Sequence, residues 1–176
     1  MKFLRRIVFV FLLPVSMYGQ TVHADEDRIV YKGTVSVANA AQAELYERAK
    51  DAIQHVKAGK KNNFHENKEQ GKLVASGTVR LMTPYHIIRA VHYTFELSVE
   101  DGKYKYRIDS VYMTEKERGG KTVKISSEKM LKAVEETGPV SIEAEKKLNE
   151  LDMNFQKIIA LVNAEMKKSA VASSEN

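Results

Sequence analysis

Four groups of residues in the 176-residue sequence carry side chains that could do chemistry. Gly119-Gly120-Lys121-Thr122 resembles the end of a phosphate-binding loop, in which backbone N–H groups cradle phosphates and the lysine reaches them. That motif needs another glycine five residues before Gly120, and Glu115 stands there. Lys103-Tyr104-Lys105-Tyr106-Arg107 interleaves cations with aromatic rings, the composition of a base-stacking platform. His55, His65, His86 and His92 could ligate a metal, but helical metal sites favour i, i+4 pairs such as HExxH, and the spacing supplies none. His65 adjoins Glu66, and neighbours in a strand point to opposite faces. Among serines and carboxylates there is no G-x-S-x-G elbow. Glu66/Glu69 and Glu143/Glu145 read as solvated charges. The chain has no cysteine, which excludes disulfides, thiol catalysis and cysteine-based zinc sites. These residues predict a non-catalytic protein with no metal and no cofactor.

Whether the tyrosines of the basic run are free to stack depends on strand register. The segment Val91 to Met113 alternates around Asp101-Gly102, a two-residue hairpin turn signal. A tight turn there pairs Val99 with Tyr104, Leu97 with Tyr106, Phe95 with Ile108, Tyr93 with Ser110 and Val91 with Tyr112. Nearly all are large and apolar, so this face is expected to point inward. The other face pairs Glu100 with Lys103, Ser98 with Lys105, Glu96 with Arg107 and Thr94 with Asp109, with His92 on the same side. A one-residue slip would undo both faces together. A stacking platform needs rings and cations on one exposed surface, and this register separates them.

The remaining elements follow from periodicity. Asp27 to Val37 alternates as a half-buried strand. Asn39 followed by Gln42 has the spacing of a capping box, and Leu45, Tyr46, Ala49, Ile53 and Val56 then recur as a helical stripe ending near Gly59. Asn62 to Asn67 is a weak strand. Lys72 to Met82 is a stronger one, with Leu73, Ala75, Val79 and Leu81 on one face and Pro84 as its breaker. After Glu115 a polar loop is expected, with a short helix near Ser127 to Glu136. Ser141 is placed to cap a long helix over 142–168, striped by Leu148, Leu151, Phe155, Ile158, Ile159, Val162 and Met166. Residues 169–176 read as a frayed tail. The expected fold class is α+β: a five-stranded antiparallel sheet in strand, helix, four strands, helix order, with one face covered by the first helix and the long C-terminal helix. A curved sheet gripping a helix could enclose an apolar ligand cavity, which Tyr93, Phe95, Leu97, Tyr106, Ile108 and Phe155 would line. Filling by Leu45, Ile53, Leu151, Phe155 and Ile159 is the denser alternative.

Lys2, Arg5 and Arg6 precede the apolar run Ile7 to Val15 and then small residues, the order of a secretory signal peptide. The run is shorter than the about 20 residues a membrane span needs. Residues 1–24 are therefore expected to be a cleaved leader and 25–168 one domain. Cleavage is expected after Ala24, with Gly19 or Gln20 as alternatives. Without Lys2, Arg5 and Arg6, the 28 basic residues fall to 25 against 23 acidic, a balance of +2. That near-neutrality predicts no nucleic-acid footprint. The implied location is the periplasm or the exterior, without a lipid-modified cysteine.

The stretches ELYERAKDAI, GKLVASGTV and YTFELSVEDGKYKYRIDSV resemble an exported bacterial family of unknown function with a TATA-binding-protein-like fold, common in Bacteroidetes. Tyr46, Gly77 and Asp101 to Arg107 stand at its Tyr-containing helix, Gly-flanked strand and DGRYRY-like hairpin, and LDMNFQKIIALV is similar to its closing helix. The resemblance spans about Val30 to Met113. Relatives often carry a Trp late in the first helix, and this chain has no Trp. The resemblance implies a fold and an export route, and no activity. The expected role is thus a binding or scaffold module at the bacterial envelope, whose partner is another envelope protein. A carrier of a small apolar ligand and an enzyme with an unrecognised site are the alternatives.

Overall fold

The computed structural model describes residues 28–56, 64–81, 89–116 and 120–168, together with the backbone of 23–25. The leader expected over 1–24 lies outside them except for the backbone of His23 and Ala24, and the tail over 169–176 lies wholly outside. The strands are β1 (His23–Asp25), β2 (Arg28–Ser36), β3 (Phe64–Asn67), β4 (Lys72–Leu81), β5 (Arg89–Glu100), β6 (Lys103–Lys116) and β7 (Thr122–Ser126). The helices are α1 (Gln42–Val56), α2 (Ser127–Glu135) and α3 (Pro139–Met166). The protein is α+β, with an antiparallel sheet in the order β1-β2-β6-β5-β4-β3 and β7 also paired to β6. The five expected strands are β2 to β6. β1 straddles the boundary placed after Ala24, and β7 forms where a loop was expected.

α1 and α3 cover one face of the sheet. Leu45, Ala49 and Ile53 of α1 and Leu151, Phe155, Ile159, Val162 and Met166 of α3 are buried against Leu73, Phe95, Leu97, Tyr104 and Ile108 of the strands. Phe155 is the keystone of this layer, meeting Tyr31 and Tyr93 edge-on at 5.1 and 5.0 Å between ring centres. Two of the inward tyrosines lie flat across a glycine directly opposite them in the ladder. Tyr93 covers Gly77 and Tyr106 covers Gly33. A Cβ on Gly77 would stand 2.2 Å from Tyr93 Cζ, and one on Gly33 would stand 2.5 Å from Tyr106 Oη. These strand glycines are there for that close approach.

Buried phenols need partners. Tyr31 donates to Asp152 at 2.9 Å and Tyr104 donates to Asn163 at 2.6 Å, so each ties the sheet to α3. Tyr93 donates to the Val56 carbonyl at 3.5 Å. Burial pushes the Tyr93 hydroxyl up to about 12, and raises Tyr31 and Tyr104 further.

The helix ends depart from expectation. Asn39 takes a left-handed conformation (φ 62°) and is not the cap of α1. The cap comes from the hairpin: Asp101 Oδ1 accepts from the Gln42 N–H at 2.7 Å. The Gly102 N–H donates to the Ala40 carbonyl at 2.9 Å and the Val37 N–H donates to Gly102 at 2.8 Å, so the β5–β6 turn is knitted to the β2–α1 link. Gly102 holds φ 71°, as the turn requires. Ser141 does not cap α3. The helix starts earlier, at Pro139, whose missing N–H costs nothing in the first turn. The Ser141 hydroxyl instead donates to the Val134 carbonyl at 3.0 Å, joining α3 to α2.

A candidate binding face on the outer side of the sheet

The hairpin keeps its expected register from the turn as far as Thr94–Asp109. Beyond it the ladder shifts by one residue, so that His92 pairs with Tyr112 and Val91 with Met113. The pairings of Tyr93 with Ser110 and of Val91 with Tyr112 are thereby corrected. The extra residue is Ser110, which sits at φ 54° in the left-handed region. A non-glycine residue there costs about 1–2 kcal/mol. The gain that outweighs it is in the residues that follow. A straight ladder would turn Ser110, Tyr112 and Thr114 inward and Val111, Met113 and Glu115 outward. The bulge buries Val111 and Met113 instead, worth about 1.5–3 kcal/mol each. It also keeps Glu115 on the inner side, where its carboxylate takes both Arg89 Nε and Nη2 at 2.9 and 3.0 Å. Arg89 reaches Glu143 of α3 as well, at 3.2 Å. Burial works against the Arg89 charge, but the two glutamates outweigh it and its pKa rises.

Tyr112 is the residue this arrangement expels. It stands half-exposed on the outer face and stacks on His92, with ring centres 4.7 Å apart and planes at 20°. Lys124 of β7 places its ammonium 3.9 Å from the centre of the Tyr112 ring. His92 is tied on both sides, by Thr78 Oγ1 at 3.2 Å from Nδ1 and by Thr114 Oγ1 at 3.1 Å from Nε2. Thr114 Oγ1 itself donates to the Ala90 carbonyl at 3.3 Å. Its one proton being used, Thr114 accepts from Nε2–H, which leaves Nδ1 to accept from the Thr78 hydroxyl. The imidazole is thus fixed in orientation and tautomer. Bulges commonly re-aim a side chain in this way beside functional sites.

The rest of the outer face divides in two. Toward the turn its charges are paired: Lys72 with Glu96 at 2.9 Å, Lys103 and Lys105 with Glu100 at 2.8 and 2.6 Å, and Arg107 with Asp109 at 2.7 Å. The hydrogen bonds from Lys103 and Lys105 hold the Glu100 carboxyl down at about 2. Toward the bulge end stand Arg80, Lys116 and Lys124, all exposed. No carboxylate pairs with these three among the described residues. Histidine, tyrosine and cation are each visible in the sequence, but strict alternation places Tyr112 in the core and leaves His92 by itself. The sign that could have joined them is the phase change from Ile108 to Val111, two inward residues three apart in a period-two strand.

The residues singled out as a cavity lining are brought together, but as part of the core cluster. Tyr93, Phe95, Leu97, Tyr106, Ile108 and Phe155 are 0–3% exposed inside the core. Two of the grooves lined by described residues lie elsewhere. One of about 310 Å³ runs between β2, α2 and α3, past Ile29, Tyr31, Val134, Leu148, Leu151 and Asp152. The other, about 180 Å³, lies under the first turns of α3 near Met113, Ile125, Met130 and Val140. His65 is exposed on edge strand β3. His86 and Gly119 lie outside the described residues, as does the side chain of His55. No cluster of three metal-ligating side chains occurs among the described residues, and no helix there is long and apolar enough to cross a membrane.

The strand–helix–sheet segment from Tyr31 to Thr114 matches a family model: residues 31–114 fit the domain of unknown function with TBP-like fold, DUF4468. The match takes in 84 of the 176 residues, and over that segment the chain is similar to this family. Two solved structures share the fold of this chain. A TBP-like protein from Parabacteroides distasonis superposes with a TM-score of 0.62 at 12% identity, over 81% of this chain and 97% of that one. A DUF4468 family protein from Bacteroides ovatus gives 0.61 at 12% identity, over 86% and 93%. No curated protein matches the chain. At this identity the likeness is one of fold, and fold does not carry function. The DUF4468 match ends at Thr114, so the hairpin, the bulge and Tyr112 fall inside it, while Lys124, α2 and α3 lie beyond.

Proposed function

We propose that this protein is a non-catalytic binding module of the bacterial envelope, and that it recognises its partner with the outer face of the sheet around Tyr112, His92 and Lys124. The observation that carries this reading is the bulge at Ser110, which holds strained backbone and leaves an aromatic ring outside a core that takes in the other tyrosines among the described residues. Tyrosine and cations presented on a rigid sheet are the composition of an interaction hot spot. The polar groups of the cluster are engaged with one another, as in a fixed surface rather than a reaction centre. Export is supported by the basic start and apolar run of residues 2–15. A photo-crosslinking side chain at Ser76, exposed one ladder row from His92, is expected to give one dominant adduct in intact cells. The same group at Met153, exposed on α3, is expected to give none. Equal adducts from both positions would remove the assignment of the face.

A second reading has its own observation, the groove of about 310 Å³ beside β2. Its apolar residues suit a small apolar ligand, which makes the protein a carrier. Native mass spectrometry of the purified protein would then show co-purified mass that Leu148→Trp displaces. A clean apo mass before and after that substitution would argue against it.

A further inference from the structure

The cations at the bulge end, which no carboxylate pairs among the described residues, say what kind of group the outer face takes. Arg80, Ala90, Thr114 and Lys124 form one row across β4, β5, β6 and β7. Adjacent strands are about 4.8 Å apart, so the backbones of the two cations stand about 14 Å from each other. Two small side chains, Ala90 and Thr114, lie between them and leave the row low in the middle. The wall on one side is the neighbouring row, Thr78, His92 and Tyr112, stiffened by the bonds that fix His92. Lys124 is held toward that wall by the Tyr112 ring. Arginine and lysine side chains are long enough for cations rooted about 14 Å apart on one row to contact a single bound oxyanion between them.

We propose that a phosphate group binds in this saddle, between the Arg80 guanidinium and the Lys124 ammonium over Ala90. The inference rests on the outer-face reading and narrows it to a ligand class. Among the described residues of this end the charge is all positive, since Glu115 faces inward onto Arg89. At the turn end Glu96, Glu100 and Asp109 already neutralise the cations, so an anion gains nothing there. Arginine supplies a planar fork of donors that fits phosphate oxygens, and lysine a point charge. The Thr114 hydroxyl is committed to His92 and Ala90, so recognition falls to the two cations and to the shape of the floor. The phosphate could belong to a soluble ester or to a lipid headgroup.

The test is a titration of the ¹⁵N-labelled protein with inorganic phosphate at low ionic strength, alongside co-sedimentation with vesicles of phosphatidylglycerol or of phosphatidylcholine alone. Saturable amide shifts centred on Ala90, His92, Thr114 and Lys124 are expected. Arg80→Gln combined with Lys124→Gln should weaken binding about tenfold or more, while Lys103→Gln with Lys105→Gln leaves it unchanged. Sedimentation with phosphatidylglycerol vesicles, lost in the Arg80/Lys124 variant, would assign the phosphate to a lipid headgroup. Phosphate binding without sedimentation would assign it to a soluble ligand. Shifts that do not saturate, or that spread over all exposed lysines, would overturn the proposal, as would equal losses in the two double variants. If the phosphate titration fails while the Ser76 adduct persists, the oxyanion site is wrong and the outer-face reading stands.

Discussion

Replacing Ser110 by Gly should stabilise the protein, although it deletes a side chain and a hydrogen bond. At φ 54° the serine Cβ crowds its own backbone, and glycine removes a strain of about 1–2 kcal/mol. Against this stand about 0.4–1 kcal/mol of extra unfolded-chain entropy. The 3.1 Å hydrogen bond from Ser110 Oγ to Asp109 is also lost, worth about 0.5 kcal/mol, the low end of the usual range, because it is exposed to water. The net is a gain near 0.5 kcal/mol, or a melting midpoint higher by about 1–2 °C. Ser110→Val should move the other way by about 1–2 kcal/mol, because a β-branched residue is poorly tolerated in that conformation. The two variants therefore differ by roughly 2 kcal/mol at an exposed position, where side-chain burial cannot explain it. Urea unfolding followed by circular dichroism measures both midpoints. If Ser110→Val matches or exceeds Ser110→Gly, the bulge does not have this backbone and the reason given for Tyr112 being outside fails.

Three further expectations concern the core and the charged ladder. Gly77→Ala places a Cβ 2.2 Å from the Tyr93 ring and should destabilise by about 1–3 kcal/mol or more by overpacking, whereas Ser76→Ala should be near neutral; equal melting points would contradict the glycine–tyrosine packing. Glu100 is held at about 2 rather than 4.5 by its bonds to Lys103 and then Lys105. A depressed folded value means its contribution is complete above 4.5 and fades as pH falls through 2. Carboxyl NMR titration should show the low midpoint, and Lys103→Ala with Lys105→Ala should return it toward 4.5. At the alkaline end, Tyr93 is raised from 10 to about 12 by burial. Its contribution is complete below 10 and disappears as pH rises through 12. Tyrosinate absorbance should therefore climb steeply together with the loss of ellipticity, and gradual ionisation of every tyrosine before unfolding would refute the burial.

The architecture was legible because its elements repeat a simple period over many residues. The hairpin faces from Val99–Tyr104 to Thr94–Asp109 and the stripes of α1 and α3 each rest on several mutually consistent side chains. What stayed hidden depends on contacts distant in sequence. The cap of α1 comes from Asp101, 59 residues beyond Gln42, while the local capping-box pattern at Asn39 pointed to a partner that does not serve. β7 is five residues with a polar outer side, too short and too mixed for periodicity to separate from a loop. Size, aromaticity and strict alternation all argue for burying Tyr112. Its neighbours decide otherwise: Val111, Met113 and the Glu115 needed by buried Arg89 all claim the inner face, and together they outweigh one tyrosine. The outer-face cluster was thus written as a change of phase rather than as a motif.

The most direct test joins the Ser76 crosslink in cells to a Tyr112→Ala substitution. Tyr112 is half-exposed and outside the core cluster, so the melting midpoint should move by less than about 2 °C. Loss of an aromatic hot spot of about 2 kcal/mol should cut the adduct about thirtyfold. A variant that keeps its stability and loses its adduct is the predicted result. An unchanged adduct on an equally stable protein would mean that the expelled ring faces water for no partner at all.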